Sequence, residues 1–296
     1  MKKAILSLLS LAAAAAASAQ SDSSFLSPTL QASINHHASR YVFAPSAYPV
    51  PMGGFYYQTY DFATHDVQVG LTENFSLGMG YALPLFAYIT PKWSTEVSEK
   101  VRFALGDLGA TSMFLPQENA IRMNIAYGTF TVGTPQSNAS LGIGYFSNNW
   151  SDNSSFIVNG GGMERVTDNI YLVGELWYNQ SPLTLKTTQS TWVLDANGQP
   201  IVNNGYYEVT YQDLSLETKQ RLLFGSLQFR IIGTQENTRS WSFGLAGLSL
   251  SRDQKTFKNQ SEWGSEYESS IGAINTFLFL PSITYIKKFG DLSGFN

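Results

Sequence analysis

Apolar and polar positions alternate with a period of two along much of the chain. Phe75, Leu77, Met79 and Tyr81 interleave with Ser76, Gly78, Gly80 and Ala82, and Ile121, Met123, Ile125 and Tyr127 with Arg122, Asn124, Ala126 and Gly128. Leu141, Ile143 and Tyr145 oppose Gly142 and Gly144, while Ile170, Leu172, Leu176 and Tyr178 oppose Tyr171, Glu175 and Asn179. Successive side chains of a strand point to opposite faces, so each run predicts a strand with one large apolar face and one small or polar face. The runs are about 9 to 13 residues long, longer than the five or six usual in soluble sheets and long enough for a tilted strand to cross a bilayer. In a soluble sandwich the apolar face would be the core. In a membrane barrel it meets lipid, and the glycine-rich face lines a crowded lumen.

The connections favour the barrel. A turn phrase recurs at Leu71-Thr72-Glu73-Asn74-Phe75, Val97-Ser98-Glu99-Lys100-Val101 and Val166-Thr167-Asp168-Asn169-Ile170: an apolar residue closes one run, a hydroxyl, an acid and an Asn or Lys turn the chain, and an apolar residue opens the next. Short turns near Thr72, Ser98, Pro135, Asp168 and Gln235 alternate with longer connections at Pro84 to Tyr88, Pro116 to Asn119, Asn148 to Ser154, Pro182 to Lys219 and Asp253 to Ser270. Outer-membrane barrels show this asymmetry, with short periplasmic turns and longer extracellular loops. Aromatic residues near run ends (Tyr41, Phe55, Trp93, Trp150, Tyr178, Trp241, Tyr285) stand where interfacial girdles would lie.

The expected fold is therefore all-β: an up-and-down antiparallel transmembrane β-barrel of about twelve strands, counted from a first strand at Arg40 to Tyr48, with both termini periplasmic. Pro45 weakens that first strand, and if it fails the expectation is ten strands plus a plug or clasp. Within Pro182 to Lys219, Asp195-Ala196-Asn197-Gly198 between Ser190 to Leu194 and Gly205 to Tyr211 predicts a projecting hairpin.

Composition narrows the class. Residues 1–19 read as a secretory signal: Lys2 and Lys3, an apolar stretch from Ala4 to Ala17, and Ala17-Ser18-Ala19 before Gln20. Residues 20–38 then form a periplasmic N-terminal segment and 39–296 the barrel. Loss of the two lysines takes the formal charge from −4 to about −6, which argues against a nucleic-acid partner. No apolar run reaches the roughly 18 to 20 residues of a membrane helix. The best, Ala273 to Pro281, is interrupted by Asn275 and Thr276. With no cysteine, disulfides, a thiol nucleophile and a lipoprotein anchor are excluded, so membrane attachment must come from the fold.

Arg40-Tyr41-Val42-Phe43-Ala44-Pro45-Ser46-Ala47, Gly54-Phe55-Tyr56-Tyr57-Gln58, Gly70-Leu71-Thr72-Glu73-Asn74-Phe75-Ser76-Leu77-Gly78 and Thr90-Pro91-Lys92 cover roughly the first third of the mature chain. Here the sequence resembles a family of functionally uncharacterised, porin-like outer-membrane β-barrel proteins of Gram-negative bacteria. The resemblance implies location and brings no catalytic or binding residues.

Chemistry is sparse. His36 and His37 are adjacent, so in an extended segment their rings point apart and cannot share a metal; no metal or cofactor is expected. His65 is the one candidate base in the barrel. A turn at Thr72-Glu73 sets it opposite Gly80, and a turn one residue longer opposite Tyr81, with no nucleophile at either place, so no enzyme is expected and a hydrolase is the weakest reading. Lys92, Glu96, Arg102, Arg122, Glu175 and Arg230 are assigned to the inner face, because charges on the lipid side would cost on the order of 2 to 4 kcal/mol each for Lys or Arg at mid-depth. They form either an internally neutralised network or a lining for small polar solutes. Tyr206, Tyr207 and Tyr211 could supply contact area for an external partner, or simply pack across the hairpin. Two functions follow as expectations: a narrow passive channel for small polar solutes, or a structural or adhesive barrel with a closed lumen. Outer-membrane lipid is the one partner expected in either case, and oligomeric state is open.

Overall fold

The structure, a computed structural model, describes residues 37–82, 85–149, 154–167, 169–232, 239–261, 263 and 265–291. The expected signal segment and His36 lie outside the described residues. The strands are β1 (Gly54–Tyr60), β2 (Thr64–Gly70), β3 (Phe75–Ala82), β4 (Phe86–Ser98), β5 (Val101–Ser112), β6 (Arg122–Gly133), β7 (Asn138–Asn148) and β8 (Ser155–Arg165). They continue with β9 (Ile170–Trp192), β10 (Val202–Asn203), β11 (Tyr206–Tyr207), β12 (Val209–Ile232), β13 (Arg239–Arg252), β14 (Lys255–Gln260), β15 (Glu266–Ile271) and β16 (Ile274–Asp291). Twelve of them close into one barrel in the ring order β1-β16-β13-β12-β9-β8-β7-β6-β5-β4-β3-β2. Ring order follows chain order, so the topology is up-and-down and antiparallel, with β1 and β16 sealing the sheet from Gly54↔Asp291 to Tyr60↔Thr284. Closure leaves the barrel itself without an edge strand.

The recurrent turn phrase acts through its hydroxyl. In the β2–β3 turn Thr72 Oγ1 accepts from the N–H groups of Asn74 and Phe75 (3.3 and 3.0 Å), and in the β8–β9 turn Thr167 Oγ1 accepts from Asn169 and Ile170 (3.4 and 3.1 Å). The side chain thus mimics a backbone turn. The middle copy differs: Ser98 already pairs with Val101, after a bulge between Glu96 and Ser98, and Glu99 and Lys100 alone make the turn. The turn expected near Gln235 lies outside the described residues.

Twelve strands form the barrel, but not the twelve counted from the sequence. Residues 40–48 are not a strand. Arg40 bridges Pro45, Tyr41 N–H donates to Ala44 O (3.0 Å) and Ser46 N–H to Ser39 O (3.1 Å), so the segment folds on itself. Prolines at 45, 49 and 51 remove the donors a ladder would need. The count is restored because the run from Gly54 to Gly70 divides into β1 and β2 at Asp61 and Phe62, both left-handed (φ 48° and 56°). A β-hairpin turn of this kind normally carries Asn or Gly. Ile283 N–H donates to Asp61 Oδ1 (2.6 Å) and Asp61 N–H to Ile283 O (2.8 Å), tying the turn to the neighbouring strand.

Two compact units are built from this chain. One takes the chain through Asn179, Leu223–Leu248 and the part from Leu278 onward; the other takes Gln180–Leu222 and Ser249–Phe277. In the second unit the expected loop from Pro182 to Lys219 is mostly strand, since β9 runs to Trp192 and β12 begins at Val209. Its turn at Asp195–Gly198 is present, and Asn204-Gly205 (φ 52° and 85°) makes a further tight turn between β10 and β11. The region from Asp253 to Ser270 holds the β14–β15 hairpin.

Candidate functional site: a plugged lumen

In the first unit alternation fixes which side chains face inward. On β3, Ser76 is buried while Met79 and Tyr81 are exposed; on β7, Asn138 and Ser140 are buried while Leu141, Ile143 and Tyr145 are exposed; on β12, Gln228 and Arg230 are buried while Leu227, Phe229 and Ile231 are exposed. Polar residues therefore line the inside and large apolar ones the outside on these strands.

The inside is filled by the folded segment 38–50. Ser39 Oγ meets Tyr56 Oη of β1 (2.8 Å) and Arg40 Nη1 pairs with Asp66 Oδ2 of β2 (3.0 Å). The Tyr48 ring lies under the Arg102 guanidinium of β5 (5.2 Å to the centroid), and Ala47 N–H donates to Thr131 Oγ1 of β6 (2.7 Å). Tyr41 Oη reaches Asn138 Oδ1 and Ser140 Oγ of β7 (2.6 Å each), and its ring fills the space that a Cβ on Gly161 of β8 would need. A segment that touches strands on every side of a closed sheet lies within it. Tyr41, Val42 and Ala44 join Tyr60, Met163, Tyr171, Val173 and Ile232 in the hydrophobic core, so the core sits in the lumen.

Three of the six predicted luminal charges hold this plug by its main chain. Glu175 Oε2 accepts from the N–H groups of Val42, Phe43 and Ala44 (3.1, 2.8 and 2.7 Å). Lys92 Nζ donates to the carbonyls of Ser39, Ser46 and Tyr48 (2.9, 3.2 and 2.7 Å). Arg230, fully buried, donates to Tyr41 O through Nη2 and to Ser242 Oγ through Nε (3.2 Å). Buried charges need such partners, and a hydrogen bond to a charged group contributes about 1.5–3 kcal/mol. Of the same six charges, Glu96 and Arg102 pair with each other across β4 and β5 at 2.5 Å.

Arg122 is a correction. The register of β6 with β5 and β7 runs without interruption, and Thr129 and Thr131 are buried while Phe130 and Val132 are exposed. Odd positions therefore face inward, and Arg122 shares the outer face with Asn124, Ala126 and Phe130 at the end of β6 remote from the short turns. On that outer face Asn124 Nδ2 donates to both carboxylate oxygens of Asp107 (2.6 and 2.8 Å). His65 also faces outward, opposite Tyr81, with Nδ1 against Tyr57 Oη (2.5 Å) and Nε2 against Phe62 O (3.1 Å). Tyr207 stacks on Trp192 (5.2 Å) and Tyr206 meets Trp263 edge-on (4.9 Å), while Tyr211 is exposed.

Sequence reasoning missed Asp66, Tyr41 and the polar pair Asn138 and Ser140. Asp66 and Gln68 flanking Val67 carried a signal, because a carboxylate at an inward strand position demands a cation. Gln68 Nε2 donates to Asp66 (3.0 and 2.9 Å) and to Thr90 Oγ1 (3.1 Å), and Arg40 completes the cluster. Among the described residues no group of three or more His, Asp or Glu side chains could hold a metal ion. Comparison of the chain with protein-family models, with curated proteins and with solved structures finds no match.

Proposed function

We propose that the chain is an outer-membrane β-barrel protein whose short turns face the periplasm and whose lumen is closed by its own segment 38–50. It acts as a closed barrel rather than a standing passive channel. A closed antiparallel barrel satisfies every ladder hydrogen bond internally, as a bilayer requires. Exposed Met79, Ile89, Leu105, Phe130, Leu141, Ile143 and Leu227 give the outer face the apolar character lipid selects, and the signal-like N-terminus supports export. The observation that carries the closed reading is the fixing of the plug backbone by Glu175, Lys92 and Arg230. Small polar solutes would pass only with the plug displaced.

Planar-bilayer recordings of the refolded mature protein test this. The wild type should be silent, and Glu175→Ala should conduct or flicker. Steady wild-type conductance, unchanged in Glu175→Ala, would overturn the closed lumen. Location is tested separately. The protein should fractionate with outer membranes and shift mobility on heating, and a tag at Asn197-Gly198 should be reachable on intact cells while one at Glu73-Asn74 is not.

A further inference from the structure

Between the plug and the ends of β2–β8 remote from the short turns, the lumen holds a cavity of about 330 Å3, at the small end of the range of small-molecule sites. Phe43 and Pro45 of the plug lie in its lining together with Tyr60, Phe86, Leu108, Met123 and Trp177. A lumen built for water or ions is polar. This one is lined by aromatic and aliphatic side chains, and β6 reverses the usual pattern by turning Met123, Ile125 and Tyr127 inward. Among the described lining residues Arg40 is the one that is charged, and its Nη1 is committed to Asp66 at 3.0 Å. These residues therefore offer no free cation to an acid and no free carboxylate to an amine. Tyr60 and Asn159, also in the lining, are themselves almost fully buried, so the walls the cavity presents are essentially apolar.

We propose that this cup binds an uncharged, predominantly apolar small molecule, held by its aromatic and aliphatic walls. The inference uses the plug as the floor of the site and does not depend on the barrel being in a membrane. An apolar cavity of this kind is poorly suited to water, so occupancy by an apolar guest is favoured by the surface it removes from solvent.

Methyl NMR of the detergent-solubilised full chain, labelled at the methionine methyl groups, provides the test, with naphthalene as probe. Met123 lines the cup, whereas Met79 lies on the outer face, 54% exposed to the surroundings. The Met123 signal should shift and saturate, while Met79 changes only in proportion to the naphthalene taken up by detergent. A Met123 response absent, or parallel to that of Met79, would overturn the proposal in the wild type alone. Filling the cup with Ala110→Phe should raise the half-saturation concentration by at least roughly tenfold with heat-shifted mobility retained. Unchanged binding in that folded variant would also overturn it, and Ile157→Phe replaces Ala110→Phe if the latter does not fold. Parallel bilayer recordings separate a lost plug, which conducts, from an empty cup, which does not.

Discussion

Replacing Glu175 with Gln leaves an oxygen where Oε2 stands and removes its charge. Three N–H groups, of Val42, Phe43 and Ala44, donate to that oxygen at 3.1, 2.8 and 2.7 Å. A hydrogen bond to a charged group contributes about 1.5–3 kcal/mol and a neutral one about 0.5–1.5. Three independent bonds would therefore lose about 3 kcal/mol in total; because they converge on one oxygen and share its charge, we expect roughly half of that. At 1.4 kcal/mol per factor of ten, the population with the plug released should rise about 5- to 30-fold. Glu175→Ala strands three donors outright and should raise it on the order of 100-fold or more. The chain has no cysteine, so Ser46→Cys places a single thiol at a fully buried plug position of nearly the same volume. The rate of its modification by a water-soluble maleimide then reports the released fraction, read as a ratio to the rate with Glu175 intact. Equal rates with Glu175 intact, in Glu175→Gln and in Glu175→Ala would refute the reasoning, because the carboxylate would not be what seats the plug.

Much of the barrel was legible because it rests on local rules. A period of two sets the faces, and a Thr followed by an acid and Asn sets a turn, whatever surrounds them. The plug was harder to read. Arg40 to Tyr48 has strand-like residues, and Pro45 alone marks the conflict; what decides the outcome is a set of contacts to β1, β2, β4, β7, β9 and β12 that are distant in sequence. The same gap explains the charges. That Lys92, Glu175 and Arg230 point inward follows from alternation, but that they bind backbone rather than one another follows from a segment whose presence inside the barrel no local pattern encodes. The turn at Asp61-Phe62 was missed because a left-handed Phe is rare, and what holds it is the tie of Asp61 to Ile283, the bond from Ala63 N–H to Tyr60 O (2.9 Å) and the contact of His65 Nε2 with Phe62 O (3.1 Å).

Lys92→Met preserves the apolar stem and leaves the carbonyls of Ser39, Ser46 and Tyr48 without their cation, so thiol modification at Ser46→Cys should accelerate about as much as in Glu175→Gln; an unchanged rate would assign the seating to Glu175 and Arg230 alone. In the hairpin of the second unit, hydrogen bonds from the N–H groups of Gln199 and Asn197 (2.8 Å each) hold the Asp195 carboxyl below the usual carboxylate range. Its contribution to the turn is therefore complete above the ordinary value of about 3.9 and is lost as pH falls through the lower folded value. Amide shifts of Asn197 and Gln199 should stay constant from neutral pH to about 5 and move only below about 4, and a transition near neutrality would contradict the assignment. The last prediction concerns the face of β6. From the sequence alone, apolar Ile121, Met123, Ile125 and Tyr127 are assigned to lipid and Arg122 to the lumen, on the premise that apolar means outward. That premise fails where the lumen itself is apolar, and in this barrel Met123, Ile125 and Tyr127 line the cup. Arg122, exposed at the end of its strand remote from the short turns, then has no luminal role, and in the membrane placement proposed above a cation at such a rim position would cost about 0–1 kcal/mol rather than the 2–4 of mid-depth. Arg122→Leu should accordingly match Lys258→Leu, an exposed residue of β14, in heat-shifted mobility and in bilayer silence, whereas Met123→Lys should impair folding or empty the cup. A conducting Arg122→Leu protein beside an unaffected Met123→Lys protein would restore the opposite face assignment and remove the apolar cup with it.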